Sequence, residues 1–370
     1  MITTVLIFII VLGLLVFVHE LGHFLTAKKL GMKVEEFGFG FPPKIWSKKG
    51  KDGVDYSVNW IPLGGFVRIK GEDGQNRDDP DSFGSKKPWK RAIVLCAGVA
   101  MNFLLCAVLL SIGFMIGLPQ AVDQQALEQG LVEDYKLQVI AVYDDYPAKE
   151  AGVELGDVLL AVDDQEIKGI NNLLDYTSSK IGEKVQYKFE RGKELVTQEI
   201  EIIDIGEGKG GVGIGLVETG IVSYPVHQAV WQGFKLTGWL TKEITFAFGN
   251  IIKNLVIGKP AGVQVSGPVG IAVLTGQVAK LGFIYILQFT ALLSLNLAII
   301  NFIPFPALDG GRIVFLIIEK IRRKPVSQKI EGLIHTLGFS LLMLLIIIVT
   351  FQDIVRYSDF FTNFFANIMR

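Results

Sequence analysis

Towards the end of the first apolar stretch the sequence reads Val18-His19-Glu20-Leu21-Gly22-His23. On a helix, residues four apart share a face at roughly 6 Å, so the imidazoles of His19 and His23 can grip one divalent cation. Nitrogen ligands at that spacing suit Zn2+, and Glu20 falls beside them, where a carboxylate can act as general acid and base on a water molecule. The chemistry this predicts is hydrolysis. Two histidines leave catalytic zinc one protein ligand short. Leu308-Asp309-Gly310-Gly311, following Pro304 and Pro306, offers a carboxylate at the end of the third apolar stretch, and the paired glycines let its backbone approach another element. The alternative makes Asp309 an ordinary helix-end residue paired with Arg312. His227 and His335 read as structural.

These residues need elements that hold them, and composition says which. Half of the 370 residues are apolar and 20% are charged, below the roughly 25% of soluble domains. The shortage is local: Met1 to Phe17, Ala92 to Pro119, Leu281 to Leu308 and Gly332 to Gln352 contain no charged residue. The remainder carries an ordinary share, which excludes a single soluble domain. Roughly 20 apolar residues cross the hydrocarbon core as a helix, so four spans are predicted. A cleavable signal peptide fits the first poorly, since no basic residue precedes it and no small-x-small site follows it. An ionised Glu inside a span costs about 2.5 to 3.5 kcal/mol on insertion scales, which marks Glu20 as functional.

Net charge is −1 and says nothing of partners, but its distribution does. Phe24 to Arg91 holds 14 Lys and Arg, Glu319 to Gly332 holds five, and Gln120 to Lys280 holds 14 against 22 acidic residues. By the positive-inside tendency the two basic loops are cytoplasmic, and the acidic segment and both termini lie outside. Cys96 and Cys106, ten residues apart in one span, read as small core residues.

Between the first two spans, strand-like Lys44 to Trp46 and Tyr56 to Ile61 flank the turn signal Lys51-Asp52-Gly53, predicting a β-hairpin on the cytoplasmic side. Gly71 to Lys90 reads as a polar loop, and Trp89 with Lys90-Arg91 anchors the second span. Gln120 to about Leu216 has a soluble composition with short strands and helices, an α+β domain. Its run from Tyr146 to Ile167 resembles the PDZ signature. Tyr224 to Gly258 is apolar and helical but interrupted by Lys235, Lys242, Glu243 and Lys253, which favours an interfacial helix over a fifth span.

Taken in order, the motifs resemble the site-2 protease family of intramembrane zinc metalloproteases (peptidase M50-like), in its bacterial RseP/RasP-type branch with a single PDZ domain. The resemblance rests on Phe17 to Phe24, Gly38-Phe-Gly-Phe41, Ile61-Pro-Leu-Gly-Gly-Phe66, Ala97-Gly98 with Asn102-Phe103, the PDZ run, Ser266 to Ile271, and Asn301 to Gly311. It implies His19, His23 and Asp309 as zinc ligands and Glu20 as the catalytic acid and base. It further implies a substrate cleft lined by Asn301, Pro304 and Pro306, and a hairpin through Gly64, Gly65 and Phe66 that adds unwound substrate as a strand. Gly211 to Leu216 matches the groove strand of a circularly permuted PDZ domain. Where the family commonly has proline after Ala-Gly, this chain has Val99, which bears on the bend of that helix.

The expected fold is a polytopic α-helical membrane protein with four transmembrane helices, a cytoplasmic-side membrane-associated β-hairpin and one extracytoplasmic α+β PDZ domain. Its parts are a first span with the zinc motif (1–30), the hairpin and loop (31–90), a second span (91–119), the PDZ domain (120–218) and interfacial helices (219–280). A third span with the Leu-Asp-Gly motif (281–318), a cytoplasmic loop (319–331) and a fourth span with tail (332–370) complete it. The expected function is zinc-dependent intramembrane endoproteolysis in the bacterial cytoplasmic membrane, with the active site near the inner face. Expected partners are the bilayer and single-pass membrane proteins such as trimmed anti-sigma factors or signal-peptide remnants, and no nucleic acid. A PDZ adaptor with structural metal, or a transporter with more spans and internal repeats, are the rival classes.

Overall fold

The computed structural model describes residues 2–72, 76, 78–122, 131–167, 169–192, 194–206, 208–259 and 266–357. The tail beyond residue 357 and residues 123–130, near the start of the 120–218 segment, lie outside them. The described chain forms two compact units, residues 1–112 with 230–370, and residues 113–229, which are inserted between them in sequence.

In the first unit, α1 (Ile2–Lys29) is apolar throughout and closes with Lys28 and Lys29 in its last turn, where cations complement the helix dipole. Gly31, at φ 72°, ends it by letting Met32 N–H reach the carbonyl of Ala27. Next come β1 (Val34–Lys49) and β2 (Asp55–Ile69), far longer than the strand runs expected, because the pairing doubles back on itself. Glu36 to Phe39 meets Asp55 to Val58 on one side and Gly65 to Arg68 on the other, while Lys44 to Lys49 pairs with Asp55 to Asn59. The hairpin turn expected at Lys51-Asp52-Gly53 is there, yet four strand segments share the sheet, 36–39, 44–49, 55–59 and 65–68. Among the described residues, Gly65 to Arg68 forms one of its edges.

α2 (Pro88–Ile116) starts at a proline, whose missing N–H costs nothing at a first helical position, and continues through Val99 without a break. The second half of α1, the sheet, the start of α2 and Leu316 share a core of Phe24, Ala27, Val34, Ile69, Val94 and Leu95.

The second unit carries β3 (Leu118–Ala121), β4 (Val132–Val142), α3 (Pro147–Glu150), β5 (Val158–Val162), β6 (Gln165–Glu166) and α4 (Ile170–Ser178). It continues with β7 (Lys184–Arg191), β8 (Glu194–Glu201), β9 (Ile203–Asp204), β10 (Gly210–Gly211) and β11 (Ile214–Val222). Its main sheet runs β3-β11-β4-β5-β7-β8 with β6 on β5, and β9 pairs β10 separately. Leu137, Leu159, Val185, Phe189 and Ile200, inward positions of alternating strands, are among its buried core together with Leu173 of α4. The run Gly211 to Leu216 is split between β10 and β11, and with α4 it lines a cavity of about 350 Å3.

The chain then returns to the first unit through α5 (Val226–Val256), α6 (Pro268–Leu281), α7 (Phe283–Phe302), α8 (Asp309–Arg322) and α9 (Gln328–Arg356). Among the described residues four helices are long and apolar enough to cross a membrane, namely α1, α2, α7 and α9. α5 is 31 residues long but carries too many charges to count with them. The third apolar stretch is not one span to residue 318. α7 stops at Phe302, and Asp309 opens a separate helix after the six-residue link 303–308, because Pro304 and Pro306 withhold the amides that a continuous helix needs.

Candidate metal centre

His19 and His23 lie on α1 as the spacing requires, with Nε2 atoms 3.2 Å apart. Asp309 Oδ2 lies 3.2 Å from His19 Nε2 and 3.3 Å from His23 Nε2. Three ligand atoms thus form a near-equilateral triangle, assembled from residues 286 and 290 positions apart in the chain. Zinc–ligand bonds of about 2.0 to 2.2 Å in tetrahedral array place neighbouring ligand atoms about 3.3 to 3.6 Å apart, within a few tenths of an ångström of this spacing.

Two further observations fit a cation there. Asp309 Oδ2 is buried and faces only the two imidazole nitrogens, a costly state for a carboxylate oxygen if both nitrogens present lone pairs and no cation sits between them. His23 Nδ1 lies 2.8 Å from the carbonyl of Val94, which can only accept, so Nδ1 carries the proton and Nε2 keeps the lone pair a metal needs. Arg312, the alternative partner of Asp309, pairs instead with Glu72.

Glycines make the assembly possible. A Cβ on Gly98 would overlap His23 Nε2 and press on His19 Cε1, and one on Gly22 would strike the carbonyl of Ala97. α1 and α2 therefore meet backbone to backbone at the histidines. Gly310 lies equally tight against the carbonyls of Phe302 and Ile303, and Gly311 against that of Phe305, which seats the start of α8 on the end of α7. The link between them is held from α9: Ala307, at φ 79°, donates its N–H to His335 Nδ1 at 3.0 Å, and Gly338 abuts Pro306. His335 is structural, and what it supports is the loop that delivers Asp309.

Glu20 is half-buried, with the backbone of Gly65 against it: a Cβ built on Gly65 would sit 3.8 Å from Glu20 Cγ. Glu20 thus neighbours both the histidine pair, on its own helix, and Gly65 in an edge segment of the sheet. Gly64, at φ 102°, turns the chain into that edge, and Phe66 packs over Gly38. Asn301 is half-buried on the last turn of α7, Pro304 is exposed, and Pro306 faces α9. Residues that the spacing argument did not single out are Val94 through its carbonyl, Gly98, Glu72 and His335. Their signal is three-dimensional, apart from the small-residue pair Ala97-Gly98.

The sequence profile of peptidase family M50 matches residues 7–345. The chain belongs to that family. Over 92% of this M50 peptidase and 95% of the relative, it is 36% identical to a putative zinc metalloprotease of Clostridium perfringens. It is 32% identical to zinc metalloprotease RasP of Geobacillus kaustophilus, covering 95% and 97% of the two chains. To the regulator of sigma-W protease RasP of Bacillus subtilis it is 30% identical, covering 96% and 99%. A solved PDZ domain of an SdrC-like protein from Listeria monocytogenes matches at 29% identity and TM-score 0.21, over 22% of the peptidase and 85% of that chain. The M50 peptidase is a zinc metalloprotease with several membrane-spanning helices, and the family decides for an enzyme over the adaptor and transporter classes.

Proposed function

We propose that this metalloprotease hydrolyses peptide bonds of single-span membrane proteins within the bilayer, with His19, His23 and Asp309 as zinc ligands and Glu20 as general acid and base. The triangle of ligand atoms, two from a helix of membrane-spanning length next to Glu20 and one from the first residue of α8, is the observation that carries it. Zinc held there supplies a Lewis acid for the scissile carbonyl and lowers the pKa of the attacking water. Glu20 takes a proton from that water as its oxygen bonds to the carbonyl carbon, and returns a proton to the amine nitrogen as the C–N bond breaks. His19, His23 and Asp309 would hold the cation as its three protein ligands.

A transmembrane helix hides its peptide bonds in its own hydrogen-bond ladder, so substrate must unwind. In lipid the freed amides need partners, and the Gly65 to Arg68 edge beside Glu20 offers a row of them. Asn301 and Pro304 would border the same cleft. The basic loops argue for a site near the cytoplasmic face, with residues 113–229 outside as a PDZ domain and α5 along the outer interface. There the cavity between α4 and the 210–216 run takes apolar peptide ends, and the domain screens out substrates not yet trimmed. Trimmed anti-sigma factors and signal-peptide remnants are substrates of the right form. The test is cleavage of a model single-span substrate by the detergent-solubilised enzyme. Parent activity is expected, with none in Glu20→Gln or His19→Ala; full activity in either variant refutes the reading.

A further inference from the structure

His19 Nε2 faces His23 Nε2 and Asp309 Oδ2 at 3.2 Å each, so it can join them as a ligand only if it presents a lone pair. The ring proton then belongs on Nδ1, which is buried and needs an acceptor. The group within reach is the carboxamide of Asn102 on α2, whose Nδ2 lies 3.4 Å away. Two N–H groups facing each other satisfy neither. At the other end of the same amide, Asn102 Oδ1 is buried without a hydrogen-bond partner, and the residue as a whole has 0% exposure. A half-turn of the amide exchanges the two ends and gives Oδ1 the proton of His19 Nδ1. The backbone is already fixed for this role, because the carbonyl of Asn102 accepts the Ser294 hydroxyl from α7 at 2.9 Å.

We infer that Asn102 is a positioning residue for the metal site: its Oδ1 accepts the Nδ1 proton of His19 and thereby fixes the tautomer and ring plane of that ligand. It is the counterpart of the Val94 carbonyl at His23. One imidazole is oriented by a backbone carbonyl of α2 and the other by a side chain two turns further along the same helix. The inference rests on the zinc-site reading above. Outer partners of metal-bound histidine are typically worth about 10- to 100-fold in metal affinity.

The test is competition for Zn2+ between a chelator and the full-length, detergent-solubilised protein. Asn102→Leu keeps the shape without an acceptor, and Asn102→Asp keeps an acceptor without the amide donor. Leucine is expected to weaken zinc binding at least tenfold and aspartate to bind within threefold of the parent or tighter. Leucine binding like the parent overturns the inference, as does aspartate binding as weakly as leucine, since the amide N–H would then be the group in use. Should the leucine variant fail to fold, judged by melting of the metal-free protein, Asn102→Ala replaces it under the same criterion. A parent whose zinc is indifferent to His19→Ala overturns the zinc-site reading and this inference together; a His19-dependent parent with an indifferent Asn102→Leu overturns only this one.

Discussion

Gly22 and Gly98 face each other where α1 crosses α2, close enough that a methyl on Gly22 would meet the carbonyl of Ala97 and one on Gly98 the imidazole of His23. The histidines sit at this crossing, so the absence of two side chains sets the depth of the metal site. Gly98→Ala is expected to push the helices or the His23 ring apart, at a cost of about 1 to 3 kcal/mol typical of overpacking. Zinc content by mass spectrometry and proteolytic activity should fall together by tenfold or more. Gly238→Ala, where nothing lies within 4 Å, is the matched control expected to leave both unchanged.

Glu20 and the ligands should separate cleanly. Glu20→Gln is expected to keep bound zinc while activity drops by at least 100-fold, the scale of a lost general base. His23→Ala and Asp309→Ala should lose both. Zinc analysis alongside a cleavage assay makes the comparison, and zinc lost from Glu20→Gln would reassign that residue to the ligand set.

Chelation gives a third outcome. Stripping the metal should abolish cleavage, and adding Zn2+ back should restore it. In the proposed site Asp309 would join α8 to the α1 histidines through the cation, so the stripped protein should also melt at lower temperature, as any ligand that binds only the native state requires. An unchanged melting curve would argue against a ligand bridging these helices.

His335 supports the link that delivers Asp309, and removing it leaves the Ala307 N–H at φ 79° without its acceptor. The bond is part-buried, so its loss costs at most the roughly 1 to 3 kcal/mol of a buried unpaired group. His335→Leu should therefore lower the melting temperature and reduce activity, while His335→Gln, which can still accept, should recover part of both.

In the inserted unit, Arg191 donates from Nε and Nη2 to the two oxygens of Asp157 at 2.8 Å, and Glu154 N–H adds a third bond at 2.9 Å. The guanidinium foremost, against opposing desolvation, holds this carboxyl below the ordinary aspartate range. A lowered folded-state pKa means stability that is present above the unfolded value of about 3.9 and is lost as pH falls through the folded one. Thermal melts of the full chain between pH 7 and pH 2.5 should show Asp157→Asn destabilised at neutral pH and converging on the parent at the acid end. A constant gap across that range would contradict the linkage.

How much of this could be read along the chain follows from distance in sequence. Helical periodicity places His19, Glu20 and His23 correctly because all three lie on adjacent turns of one helix, where spacing alone fixes the face. Charge-free length locates the four candidate spans for the same local reason. The doubled ladder of β1 and β2 escaped that reading, since the pairing of 36–39 with both 55–58 and 65–68 is visible only once those segments share a sheet. So did the break after Phe302, where the two prolines signalled a disturbed ladder but not a new helix starting at Asp309.

By itself, then, the sequence determined the chemistry available: a histidine pair, a neighbouring carboxylate, a further carboxylate for a third position, and apolar helices to carry them. Tertiary structure alone decided which groups complete the site. Asp309 reaches the histidines rather than Arg312, His23 takes its proton partner from the carbonyl of Val94, and Gly98 leaves the room. Each is a contact between residues more than 70 positions apart, set by how helices cross, and no local pattern of side chains encodes a crossing.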